Sequence, residues 1–349
     1  APGALFIDID ARAIEADPLL ARGVRALEDA GARHIVLGRV EEKQIEAALL
    51  HLVPEEPALA HMAASIGDGS PLDAHLALLT LARTGEVPLE HSPWLSWLDV
   101  VLESPDDRAL LEVAAALEDP LDPAEWTAAG SRLGLRWSKD LPRLLRLNGI
   151  GKRSLGRWRL AHASLRDALQ ATCQEGGRWE AVHRACAAVV RGPHSALRRG
   201  GHLLEAGDRD EAAAALACAL DEEDADILEQ VITLLERTLK DVPPDDPRRV
   251  AAGLARLRIS QGERALEVGR QVARYGTTED RFRVAVHMVG ELAHGSAEEQ
   301  DTWVARSFAL ARKMGVPEAT GKAWQGQARV RLSRGDLVGA ERSLAKATA

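Results

Sequence analysis

One pattern, written twice, limits what this chain can fold into. Leu203-Leu204-Glu205-Ala206-Gly207-Asp208, followed by Ala212-Ala213 and Leu216, is echoed by Val330-Arg331-Leu332-Ser333-Arg334-Gly335-Asp336, followed by Ala340 and Leu344. A weaker echo runs Leu257-Arg258-Ile259-Ser260-Gln261-Gly262-Glu263, then Ala265 and Leu266. Each copy predicts a helix ending at a glycine, an acid capping the next helix, and a small residue where the two helices touch. Such a helix pair cannot bury its apolar stripe alone and must stack on further pairs. The spacing between copies is irregular, so the stack is not a strict repeat.

Composition agrees with a mainly α fold. Leu, Ala, Arg and Glu dominate, and aromatic residues make up only 3% of the 349 positions. The formal net charge of −9 argues against nucleic-acid binding by the chain as a whole. No apolar run reaches 18 residues, so no membrane span is expected. Cys173, Cys186 and Cys218 are an odd number set in Ala-rich helical patterns. They read as small core residues in a reducing compartment, with the cytoplasm as default.

Along the chain, residues 1–40 read as strand, helix, strand. Residues 4–10 form an apolar strand ending in Asp8 and Asp10, Asp17-Pro18 starts a helix to about Ala30, and His34–Leu37 is the second strand. Two strands cannot cover a parallel sheet, so this stretch is expected to be the edge of a larger α/β core. From 41 to 103 the pattern is helical, broken at Gly67-Asp68-Gly69-Ser70-Pro71, with a loop expected over 85–97. Residues 104–170 predict three helices, near 106–118, 123–133 and 138–148, and then a β-hairpin of 151–155 and 156–162. Three helices and a hairpin make a winged-helix arrangement. Residues 171–349 are helical throughout and carry the tetratricopeptide-like half-signature described above.

In this order the pieces resemble the region beyond the nucleotide-binding loop of a STAND-class signalling ATPase, as in many bacterial members. Ile35-Val36-Leu37-Gly38-Arg39-Val40 resembles the exit from the ATPase core into its helical lid. Gly69-Ser70-Pro71-Leu72 resembles the G-x-P turn of that lid, and Trp158–His162 with Leu165–Leu169 resembles the end of the winged helix. The resemblance implies that Gly69 and Pro71 lie against the adenine of a bound nucleotide and His162 against its terminal phosphate. It also implies ADP or ATP as the cofactor of an intact parent. No G-x-x-x-x-G-K-[ST] loop is present, however. Gly149–Ser154 imitates one, but Arg146 stands for its first glycine, Arg153 for its metal-binding hydroxyl, and it follows a helix. No catalytic residue, no metal site and no cofactor are therefore expected for this segment alone.

Each candidate also has a plainer reading. Pro71 is equally the first residue of a helix, and His162 a half-buried ring satisfied by a neighbouring carbonyl. Asp8 and Asp10 could hold Mg²⁺ only beside a phosphate loop. His183, Cys186 and Cys173 match no common zinc spacing. Trp126, Trp137, Trp179, Trp303 and Trp324 are expected to anchor helix contacts. Residues 132–159 hold nine basic side chains and one acid, Asp140. That patch could face a nucleotide, pair with the acidic block from Glu205 to Asp226, or track DNA phosphates. Three functions follow. The first is the regulatory and sensor segment of a STAND-type switch, with a protein or peptide, or a second copy, bound on the repeats. The second is a non-enzymatic repeat scaffold, and the third a winged-helix DNA-binding regulator.

Overall fold

The computed structural model describes residues 22, 24–26, 39–86, 92–102, 104–117, 120–291 and 297–348. The two strands expected within 4–37, and with them Asp8 and Asp10, lie outside the described residues. The described part is mainly α, with a single hairpin, as the sequence predicts. The chain separates into two compact units, Ala1–Val101 and Leu102–Ala349.

The first unit holds α1 (Glu42–Leu50), α2 (Pro57–Ile66), α3 (Pro71–Thr84) and α4 (Pro93–Val101). Ile45 and Leu49 of α1 pack on Ala60, Ala63 and Ala64 of α2 and on Ala74, Leu78 and Leu81 of α3. The alanines let the helices approach closely, which is why the core stripe of α3 runs through Ala74, Ala77, Leu78 and Leu81 while Ala82 faces solvent. The expected loop over 85–97 is corrected from residue 93 onward. Pro93 opens α4, and Trp94, Trp97, Leu98 and Val101 recur at helical spacing to form its buried stripe.

The second unit begins with α5 (Pro105–Leu117), α6 (Pro123–Arg132) and α7 (Leu141–Leu147). α7 starts later than expected, because Pro142 fits only the first turn of a helix. Strands β1 (Gly151–Ser154) and β2 (Arg157–Leu160) follow, paired antiparallel with Lys152 opposite Arg159 and Ser154 opposite Arg157. Leu121 adds a single bridge to Trp158 of β2. Leu155 and Gly156 both have positive φ, 49° and 80°, which makes the hairpin turn a primed one.

Eleven helices follow among the described residues: α8 (Ala163–Glu175), α9 (Trp179–Ala187), α10 (Ser195–Glu205), α11 (Arg209–Ala217), α12 (Ala225–Thr238), α13 (Pro247–Ile259), α14 (Gly262–Tyr275), α15 (Thr278–Glu291), α16 (Ala297–Met314), α17 (Pro317–Ser333) and α18 (Leu337–Thr348). From α10 onward each helix packs on the next, and α10 also touches α12, α11 touches α13, α13 touches α15 and α15 touches α17. The two larger cores of the array, among the described residues, lie around Leu216, Ile232 and Leu235 and around Val272, Met288 and Trp303.

The two sequence echoes fold alike. Gly207 N–H donates to Leu204 O at 3.0 Å and Asp208 N–H to Leu203 O at 2.9 Å; Gly335 and Asp336 repeat the pair on Leu332 and Arg331 at 3.0 and 2.9 Å. This closure needs a left-handed residue, supplied by Gly207 and Gly335 at φ 80° and 79°. Gly177 closes α8 in the same way, with Gly177 N–H on Gln174 O and Arg178 N–H on Cys173 O. The weaker echo is corrected: α13 ends at Ile259, and Gly262 is the first residue of α14. Cys218 is a second correction, since it is exposed while Cys173 and Cys186 are buried.

Candidate functional site

Gly69 and Pro71 share the turn between α2 and α3. Ser70 caps α3, its hydroxyl accepting from Asp73 N–H at 3.2 Å, and Pro71 follows as an exposed first-turn proline. Gly69 has φ 82°, and its carbonyl accepts from Val40 N–H at 2.9 Å. A Cβ there would stand 2.8 Å from Arg39 Cβ, so the close approach of the Arg39–Val40 segment demands glycine. Arg39 also pairs with Asp68 of the same turn. Local structure thus accounts for both Gly69 and Pro71, and leaves the proline ring open to a ligand.

His162 belongs to the second unit. It follows β2 as the extended residue that precedes α8, half-buried, with no capping bond from its ring. Its backbone is held by the hairpin, where Ala161 N–H donates to Ile150 O at 2.9 Å. His162 therefore sits where a displacement of the hairpin passes directly into α8.

The junction between hairpin segment and array was not foreseen from sequence. Glu112 of α5, almost fully buried, accepts a two-pronged bond from Arg178 at 2.9 and 2.6 Å. Glu125 of α6 does the same for Arg198 of α10, at 3.1 and 2.6 Å, and also accepts the Arg191 backbone N–H at 2.7 Å. Gln170 of α8 adds a bond to Ala115 O at 3.1 Å. Removing either arginine would strand a buried carboxylate, at about 3–5 kcal/mol for a pair of this kind. The available signal was Glu112 inside the apolar run Leu110-Leu111-Glu112-Val113, an acid placed where periodicity wants a core residue.

Beside these clamps lies a buried histidine pair. Nδ1 of His183 on α9 and Nδ1 of His202 on α10 stand 3.2 Å apart, and the Trp179 ring covers His183 at a centroid distance of 4.2 Å. Burial lowers the His183 pKa to about 4. Burial, then the charge of its partner ring and of Arg198, lowers that of His202 to about 3. The neighbouring Cys173 and Cys186 thiols are pushed up to about 12 by burial, which keeps them inert.

The acidic block finds its partners inside the array. Asp208 binds Arg184 at 2.7 Å, Asp210 binds Arg248 at 3.2 Å, Glu222 binds His194 at 3.2 Å and Glu205 approaches Arg237 at 3.9 Å. Of the three readings of the basic patch, pairing with this block is not the one seen: these four acids pair inside the array, and no ion pair joins block and patch among the described residues. Farther along, α15, α17 and the α16–α17 turn line a cavity of about 770 Å³. Its apolar floor is Phe282, Val286, Met314 and Ala319, with ion pairs Arg283–Glu279 and Lys322–Glu318 at the rim. The tryptophans anchor helix contacts as expected. Trp126 Nε1 donates to Leu110 O at 2.6 Å, Trp137 packs edge-on against Trp126, and Trp324 packs edge-on against Phe308. No helix among the described residues is long and apolar enough to cross a membrane.

No family model matches the sequence, and no curated protein matches it. Among solved structures the chain is similar to the crystal structure of a Signal Transduction ATPase with Numerous Domains (STAND) protein with a tetratricopeptide repeat sensor, from Pyrococcus horikoshii. The identity is 12% and the TM-score 0.48, and the match covers 90% of this chain and 48% of that one. The chain therefore spans about half the length of that structure.

Proposed function

We propose that this chain is the regulatory and sensor segment of a STAND-type signal-transduction ATPase. In this reading, nucleotide held by an ATPase core biases the lid through Pro71 and Gly69 and the wing through His162. The helical array binds a protein or peptide, and the chain itself relays the signal without catalysing a reaction. The observation that carries the reading is the pair of clamps on buried carboxylates, Glu112–Arg178 and Glu125–Arg198. They tie the two helices beneath the wing to the first helices of the array. A relay needs such rigid coupling, because a ligand shifts a two-state element only through groups that are held to it.

Calorimetry with ADP and ATP on the whole chain, beside a His162→Ala variant, tests the nucleotide half. Binding that is lost in the variant supports it. Equal binding by both proteins removes His162 from the site. Heat absent from every titration favours the second reading, a repeat scaffold, for which the cavity between α15 and α17 is the specific observation.

A further inference from the structure

Some arginines of the array pair with acids, whereas others, such as Arg199, Arg270 and Arg312, hold no carboxylate among the described residues. Arg178, Arg184, Arg198, Arg248, Arg256 and Arg334 each hold a carboxylate. All nine basic side chains between Arg132 and Arg159 are exposed, and none pairs with an acid among the described residues. The hairpin register sets Lys152 directly opposite Arg159, a like-charge pair that weakens a two-stranded ribbon. At its tip Leu155 holds φ 49° and is fully exposed, a conformation that costs a bulky residue energy and brings the fold no contact. α7 buries Leu141 and Leu145, and its Arg143 and Arg146, one turn apart, face solvent together. Nothing in folding favours six unpaired cations on a seven-residue helix and the short hairpin beside it. A polyanion does.

We propose that this segment docks on a nucleic-acid duplex, with Arg143 and Arg146 of α7 and Lys152, Arg157 and Arg159, which the register sets together on the outer face of the hairpin, on its phosphates. Arg153, opposite the buried Trp158, belongs to the other face and makes no contact. A single strand is disfavoured, because its bases need exposed aromatic rings to stack on and Trp158 is buried. A membrane is disfavoured, because the apolar side of α7 is spent on the core, and only Leu147 and Leu155 are left exposed there. Asn148, the one amide at the end of α7, donates to Leu144 O of its own helix at 3.0 Å, so it is not set to read an adenine edge. The docking stands apart from the nucleotide reading and does not depend on it.

The test is fluorescence anisotropy of the whole chain with a labelled duplex of about 20 base pairs, long enough to cover the face. Five neutralised phosphates predict a slope of log affinity on log salt of about −4.5, and a loss of about 500-fold between 50 and 200 mM salt. Arg143→Ala, Arg146→Ala, Arg157→Ala and Arg159→Ala together leave the Lys152 contact and a slope of about −1. The same four positions changed to lysine keep the parent slope, which guards against a folding artefact. Absence of binding at 50 mM salt overturns the proposal, as does a slope unchanged by the alanine set. Tighter binding to phosphatidylglycerol vesicles than to the duplex gives the face to a membrane and overturns it too.

Discussion

Acid should loosen the junction of hairpin segment and array, and the His183–His202 pair sets the size of the effect. Both rings are buried, and their pKa values are lowered to about 4 and about 3. An unfolded histidine titrates near 6.5. Above that value both states are neutral and the pair adds no pH dependence. As pH falls below it the open state takes up protons that the folded state refuses, so stability drops until the folded values are reached. Between pH 7.5 and 5 each ring contributes a loss of about 2 kcal/mol, and the pair about 4 kcal/mol. At pH 5 both folded rings are still neutral, so this figure needs only that their values lie below 5. The assay is hydrogen exchange of α9 and α10 peptides at the two pH values, corrected for intrinsic rates, beside a His183→Leu/His202→Leu chain. The expected result is an opening constant about 10³-fold larger at pH 5 for the parent alone. A parent that changes by less than tenfold, or no more than the variant, refutes the claim that both rings are held neutral by burial.

Other outcomes follow from single contacts. Arg198→Met should lower stability by about 3 kcal/mol because it leaves Glu125 buried without its cation, whereas Arg198→Met with Glu125→Leu should recover most of the loss in thermal unfolding. Leu155→Gly should raise stability by about 1 kcal/mol through relief of the positive φ, seen as a higher midpoint in urea; a fall would show that Leu155 has a packing role. Gly200→Ala should cost about 1–3 kcal/mol, since its new Cβ would stand 2.4 Å from Leu216 Cγ at the α10–α11 contact; an unchanged melting curve would mean that this contact is loose.

What the sequence alone determined was local. The glycine–acid turns at Gly207 and Gly335, the proline start at Pro71 and the tight turn between the hairpin strands follow from residues adjacent in the chain. The helix spans read from periodicity followed for the same reason, and so did the expectation that small residues such as Ala212 and Ala340 mark helix contacts. The loop expected before residue 97 failed where Pro93 and two tryptophans looked like loop chemistry but served as a helix start and its buried stripe. Only the tertiary structure decided which distant charges met. Glu112 with Arg178, Glu125 with Arg198, and His183 with His202 lie 66, 73 and 19 positions apart, and no local pattern carries such pairings. The same holds for the basic stretch. Sequence shows that cations are dense between 132 and 159, but whether a charge is neutralised depends on what packs beside it, and here the fold sends the acids elsewhere.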